Sequence, residues 1–219
     1  HKSRTLMSLL GTVGCALILI CSLGMRDTMD AFLDMYYDGA TNYASRIYMA
    51  DDTDNAQAEK IADRYDGDWS STVSVQIDDD AVALDIYDIR SDKVRFLDSD
   101  DDYVDIGNDG AYICTRISDK YDLHPGDMFT VSPYGSDDEY KLTVKGITRS
   151  VSENIVISKK YADRKDISYR IDSVYTDTAK ADIHDDDRIS SVQSKQAIMD
   201  SFDTFMEIMN MMVFILMGG

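Results

Sequence analysis

Residues Asn108 to Val131 read NDGAYICTRISDKYDLHPGDMFTV. "AYICT" (111–115) has the apolar and aromatic content of a strand, and Ile117 to Tyr121 makes about one helical turn. His124, Pro125, Gly126 and Asp127 form a turn cluster, and "MFTVSP" (128–133) alternates as a second strand. Strands and short helices therefore follow one another closely.

The pattern holds on either side. Downstream, "YKLTVKGIT" (140–148) and "NIVIS" (154–158) predict strands, the first reached through a turn at Gly135 to Asp138. Upstream, "STVSVQI" (71–77) and "AVALDIY" (81–87) alternate across Asp78, Asp79 and Asp80, a hairpin signal. "DNAQAEKIADRYDG" (54–67) predicts a helix. Asp54 is its N-cap, Gln57 completes a capping box, Ala58, Ile61, Ala62 and Tyr65 share one face, and Gly67 is the stop. Elements interleaved without a regular β-α-β repeat define an α+β domain.

Both ends of the chain are different in kind. Thr5 to Met25 carries no charge before Arg26 and would reach about 31 Å as a helix, enough for a bilayer core of about 30 Å. A secretory signal peptide is the competing reading. The apolar run is longer than a usual signal core and no cleavage site follows it, which favours a retained membrane helix. Lys2 and Arg4 lie beside it, so the positive-inside rule places everything after Met25 outside the cytoplasm. Ile208 to Gly219 is apolar but makes only about 18 Å, the expected start of a second span.

Beyond each apolar run an apolar stripe continues at spacings of three and four. Met25, Met29, Phe32, Tyr36, Gly39 and Tyr43 form one, and Ile198, Phe202, Phe205, Met209, Met212 and Leu216 the other. Such stripes fit the seam of an antiparallel helix pair, a stalk, or alternatively a face packed on the globular domain. The stalk interface is accordingly expected at Met25, Met29, Phe32, Tyr36, Ile198, Phe202, Phe205 and Met209.

A net charge of −19 repels nucleic-acid phosphates and anionic lipid headgroups, so nucleic acid is excluded as a partner. Hydrophobic content of 44%, 14 tyrosines and only two prolines argue for a packed core rather than disorder. Cys15 and Cys21 fall in the first apolar helix, which leaves Cys114 alone in the domain and no disulfide within it.

Catalytic signatures are lacking. His1, His124 and His184 are not spaced with a second ligand as a zinc site needs, and neither a nucleophile elbow nor a glycine-rich phosphate loop is present. No enzyme activity and no cofactor are expected. The acidic run "LDSDDDYVDIGNDG" (97–110) offers one weak metal candidate, since Asp98, Asp100 and Asp102 alternate as calcium-loop ligands do. Tyr103 stands where an EF-hand loop has Gly and Asp109 where it has Glu, so at most an irregular site is expected.

The quoted stretch resembles a segment of FtsX-like and MacB-like ABC transporter permeases, with Ile117, Tyr121, Leu123, Gly126 and Asp127 at the matching positions. "YKLTVKGITRSVSENIVISKKYA" is similar to that family's next strands through Val144, Gly146 and Ile147. Lys2 to Ile20 looks like its first membrane helix, and Ser190 to Leu216 like its long helix entering the second span. The resemblance implies a MacB-like periplasmic core domain on a two-helix stalk, flanked by one full and one truncated transmembrane helix. It further implies a cytoplasmic ABC ATPase subunit, a second permease copy in a dimer, membrane lipid and an extracytoplasmic peptide or protein as partners. ATP-driven movement would pass through the stalk to the outer domain.

The expected organisation is membrane helix and stalk over 1–42, an extracytoplasmic domain over 43–192, and stalk with the start of a second span over 193–219. Within the domain, 43–89 with 168–192 would form a core lobe and 90–167 an inserted β lobe. A ligand-sensing ectodomain of a histidine kinase or chemoreceptor is the rival reading, since it too sits between two membrane helices.

Overall fold

In a computed structural model of the chain, residues 13, 20, 24, 28, 40–136 and 138–218 are described. The chain divides into two compact units, Asp38–Lys195 and a second made of His1–Tyr37 with Gln196–Gly219. Most of the first expected membrane helix, and Met25, Met29, Phe32 and Tyr36, lie outside the described residues. Among the described residues no helix is long and apolar enough to cross a membrane.

The described residues of Asp38–Lys195 hold eleven strands in the order β1 (Ser45–Met49), β2 (Asp68–Ile77), β3 (Asp80–Asp88), β4 (Phe96–Leu97), β5 (Tyr103–Val104), β6 (Ala111–Cys114), β7 (Met128–Pro133), β8 (Tyr140–Thr148), β9 (Asn154–Ser158), β10 (Ser173–Thr176) and β11 (Ile189–Ser194). Helix α1 (Asn55–Arg64) lies between β1 and β2, α2 (Thr115–Tyr121) after β6, and α3 (Lys159–Arg164) after β9. A longer helix, α4 (Lys195–Gly218), follows β11.

Nine strands make one sheet in the order β11-β1-β10-β2-β3-β9-β6-β8-β7, while β4 and β5 pair separately. Strand β7 also pairs with the far end of β2, at Val75↔Pro133 and Gln76↔Ser132, so six strands from β2 to β7 close on themselves. Opposite β3, strand β2 can serve two further neighbours because it is long: Asp68 to Ser70 pair with β10, and Val75 and Gln76 with β7. The β2–β3 hairpin thus belongs both to the open part of the sheet and to the closed part. In the terms of the expected lobes, β3 of the 43–89 segment pairs in parallel with β9 of the 90–167 segment, from Ala83↔Asn154 to Tyr87↔Ser158.

A single apolar cluster fills both parts. Ile61 and Ala62 of α1 sit with Ile47, Trp69 and Val174 in the open part; Leu84, Ile113, Val131, Leu142, Ile155 and Ile157 occupy the closed part. All five residues of β9 are buried, as befits a strand with a neighbour on each side and a covered face. Trp69 is fully buried and stacks on Tyr169 with ring centroids 5.7 Å apart. Cys114 is buried as a free thiol.

Strands β7, β8 and β9 have the bounds that alternation predicts, and Asp54 and Gln57 form the capping box of α1. Other boundaries differ. Asp80 belongs to β3, so the hairpin turn is Asp78 and Asp79, and Thr115 begins α2 rather than ending β6. After α1 the left-handed residue is Asp66 at φ 47° and not Gly67. Glycine is needed at 67 for a different reason: a Cβ there would stand 2.8 Å from the Tyr175 carbonyl oxygen and 2.7 Å from Val174.

Left-handed backbone recurs at Asp78, Asp92, Asp101, Asp122 and Asp166. Aspartate tolerates this region better than most side chains because its short carboxylate can bond locally. Part of the acidity of the chain is therefore turn chemistry.

Candidate functional site

The region where the chain enters and leaves the domain is built from residues far apart in sequence. Ala40 to Ala44 runs in, with the Asn42 N–H donating to the Lys93 carbonyl (2.8 Å) and the Arg95 N–H to that of Ala40 (2.9 Å). The Ala44 N–H donates to the Thr176 carbonyl at 2.9 Å. At the exit, the Lys195 N–H donates to the Ala44 carbonyl (2.9 Å) and its Nζ to the Thr41 carbonyl (2.9 Å). Strands β1 and β11 then run antiparallel from Ser45↔Ser194 inward. Entry and exit are thus clamped together, and any force that separates them must first break these bonds.

One buried carboxylate holds the loop that completes the clamp. Asp68 has no exposed surface, yet it accepts three backbone hydrogen bonds: from Arg90 (2.6 Å) and Ser91 (2.7 Å) on Oδ1, and from Lys93 (2.7 Å) on Oδ2. A buried carboxylate is tolerable when its lone pairs are filled in this way. Arg90 is anchored besides by Asp63 and Asp88, each at 2.7 Å, and Lys93 by an ion pair with Asp177. The β2 residue thus orders the segment after β3, and that segment in turn holds Ala40 to Asn42.

Next to the clamp, the sheet face away from α1 carries an aromatic group around Arg46. Its guanidinium lies 4.6 Å from the Tyr48 ring centre and 5.2 Å from that of Tyr175, and it donates to Ser173 Oγ at 2.9 and 3.1 Å. Tyr43 and Tyr87 pack on Tyr175, with centroids 5.0 and 6.3 Å away. Burial lowers the Arg46 pKa, and the fields of Tyr175, Tyr48, Tyr87 and Tyr43 more than offset this, so the net shift is upward. Asp85 on β3 is held above the usual carboxylate range, first by burial and further by the nearby Asp172 charge, against hydrogen bonds from Asn154 (2.8 Å) and Thr72 (2.8 Å).

The residues of the resembling segment shape one corner of the closed part. Ile117 is buried, and the Tyr121 hydroxyl donates to Asp80 (2.6 Å) and lies 3.2 Å from the Ile77 carbonyl oxygen, tying α2 to the β2–β3 turn. Burial and the Asp80 carboxylate push the Tyr121 phenol up to about 12. Asp127 Oδ2 accepts from the His124 N–H (2.8 Å), the Gly126 N–H donates to Val144, and the Val144 N–H donates to Asp127, both at 2.8 Å. This motif therefore sets the β7–β8 pairing.

The candidate metal residues lie in the β4–β5 connection. Asp98 turns its carboxylate on its own loop, accepting from the N–H of Asp100 (2.8 Å) and of Asp102 (3.0 Å). Among the described residues no three His, Cys, Asp or Glu side chains converge as metal ligands. Of the stripe residues on α4, Ile198, Phe202 and Met209 are half-buried, whereas Phe205 is 41% exposed and Met206 is half-buried instead. A helix turns about 100° per residue, so Phe202, Met206 and Met209 share a face that Phe205 borders. The Asp68 clamp had no sequence signal, since its partners lie more than twenty residues away.

Two solved ectodomains resemble this chain. One is the periplasmic region of MacB from Actinobacillus actinomycetemcomitans, at 12% identity over 77% of this chain and 96% of that one, with a TM-score of 0.42. The other is the extracellular domain of the noncanonic ABC-type transporter YknZ from Gram-positive bacteria, at 14% identity over 63% of this chain and 85% of that one, with a TM-score of 0.39. No family model matches the chain, and no curated protein does.

Proposed function

We propose that this chain is the extracytoplasmic part of an ABC transporter permease, and that its domain receives ATP-driven movement through the segments at its two ends and passes it to an outer peptide or protein. The observation that carries this reading is the clamp: Lys195 bonds both Ala44 and Thr41, so entry and exit form one mechanical input. A relative displacement of the two ends would act directly on the β1–β11 pairing. From there the sheet continues through β10 to the β2–β3 hairpin, which the closed part shares, so the hairpin can carry a rigid-body movement across the domain. The sequence resemblance through Ile117, Tyr121, Leu123, Gly126, Asp127, Val144, Gly146 and Ile147 supports the same class. In this reading the chain sits in the cell membrane, pairs with a second copy, and leaves ATP hydrolysis to a cytoplasmic ATPase subunit.

The test is a pull-down of the full-length protein from mild detergent. Recovery of a stoichiometric ABC ATPase is the expected result; its absence, with a signalling domain in the same polypeptide, would overturn the reading in favour of a receptor. Given a recovered complex, Phe202→Glu on the half-buried face of α4 should uncouple ATP hydrolysis from the outer function while the domain stays folded.

A further inference from the structure

Among the described residues strand β11 is the open edge of the nine-stranded sheet, since the other end closes through β7 on β2. Most proteins guard such an edge with lysine, proline or a very short strand. Ile189–Ser194 reads ISSVQS and contains no charge and no proline. Its protection is a single bulge, where Met49 pairs with Ile189 directly after Tyr48 pairs with Ser191.

Backbone polarity along the edge follows from the clamp. The Lys195 N–H faces β1, where it bonds Ala44, so by the two-residue period Gln193 and Ser191 also face β1. Val192 then presents its N–H and C=O outward. Beside it an open groove of about 970 Å³ is lined by Lys180, Ile183, Asp185, Asp187, Ile189 and Val192, among others. Ile183, Ile189 and Val192 are half-buried and give the groove an apolar floor.

Charge selects the occupant. Asp186 is already engaged, by Arg188 at 2.5 Å and Arg64 at 3.0 Å. Asp185 and Asp187 are exposed and have no ion-pair partner among the described residues, so the carboxylates left over in the lining are these two, against Lys180 as the remaining base. A second copy of this chain, itself at −19, would meet electrostatic repulsion here.

We propose that the groove along β11 binds an extended, lysine- or arginine-bearing segment of a partner polypeptide, which adds as a strand through Val192 and places its cationic side chains at Asp185 and Asp187. This gives the outer partner of the proposed function a chemical class and a docking place, and its test does not depend on any ATPase.

The probe is an acetylated, amidated peptide of alternating lysine and valine, titrated against the full chain by fluorescence anisotropy with hydrogen exchange as a second readout. Saturable binding with slowed exchange of the Val192 amide is expected. The double variant Asp185→Asn, Asp187→Asn should bind about fivefold more weakly, the size of a surface charge effect. A peptide N-methylated along one edge, which leaves the protein untouched, should lose binding. Equal binding of an alternating glutamate–valine peptide, unchanged binding of the N-methylated one, or protection confined to other strands would overturn the proposal. So would sedimentation showing a dimer with Val192 protected in the absence of peptide, because the edge would then belong to a second copy.

Discussion

Replacing Asp68 with alanine should release the loop from Arg90 to Lys93 and, through it, the entry of the chain into the domain. Asp68 is fully buried and accepts three backbone hydrogen bonds of 2.6 to 2.7 Å. Hydrogen bonds to a charged group contribute about 1.5–3 kcal/mol each, so three would total about 5–9 kcal/mol if none were replaced. Arg90 is exposed, and its amide can turn to water once the carboxylate is gone. The expected loss is therefore about 3–5 kcal/mol, a large share of a typical domain's stability. Asp68→Asn keeps one oxygen for Arg90 and Ser91 but sets an amide N–H against that of Lys93, so it should lose about 2 kcal/mol. Urea unfolding followed through Trp69 measures both, because this lone tryptophan is buried next to the substitution. Hydrogen exchange should quicken first at Arg90, Ser91 and Lys93. A loss below about 1 kcal/mol for alanine, or asparagine worse than alanine, would refute the view that the carboxylate organises this loop.

Asp85→Asn should stabilise the domain at pH 7 by about 1 kcal/mol, because a desolvated charge is removed, the Thr72 hydroxyl can still donate to the remaining oxygen, and the Asn154 amide can turn so that its Oδ1, buried without a hydrogen-bond partner among the described residues, accepts from the new amide N–H. The folded pKa of Asp85 is raised, so its contribution is full below the unfolded carboxylate value of about 4 and is lost as pH rises through the folded value. The advantage of the variant should accordingly vanish in acid, and urea midpoints at pH 4 and pH 7 check this. Tyr121 and Tyr169 should both titrate near 12 by ultraviolet absorbance, and the amplitude there should fall by the contribution of one tyrosine in Tyr121→Phe. The raised value of Tyr121 means stability is lost as pH rises from the unfolded tyrosine value of about 10 through about 12. Gly146→Ala should cost about 1–3 kcal/mol, since the new methyl would stand 2.9 Å from the Tyr112 ring, and thermal melting measures it.

Much of the architecture was legible because local chemistry and burial agree. The Asp54 and Gln57 capping box, the alternation of β2, β3, β7 and β8, and the apolar run Ile155 to Ile157 of β9 each announce an element over a few adjacent residues. Strands β1, β10 and β11 were not legible. They are four to six residues long, and serines occupy positions that an apolar pattern would fill, including buried Ser45 and Ser173. A strand of that length is recognised by the neighbours it pairs with, and those neighbours are distant in sequence.

The α+β class of the domain, the place of α1, of β2 and β3 and of β6 to β9, the bounds of β7, β8 and β9, an acidity that argues against nucleic acid, and two apolar flanks of helical spacing can all be read along the chain. These follow from side-chain period, capping and charge, which act between residues a few positions apart. Only the tertiary structure decided that β7 returns to β2 and closes the sheet, that β11 is left as the open edge, and that Asp68, Lys93, Thr41, Ala44 and Lys195 meet in one clamp. Those arrangements depend on pairing between strands separated by tens of residues. Any strand can offer its backbone to many partners, and the choice among them is made by how the whole core packs.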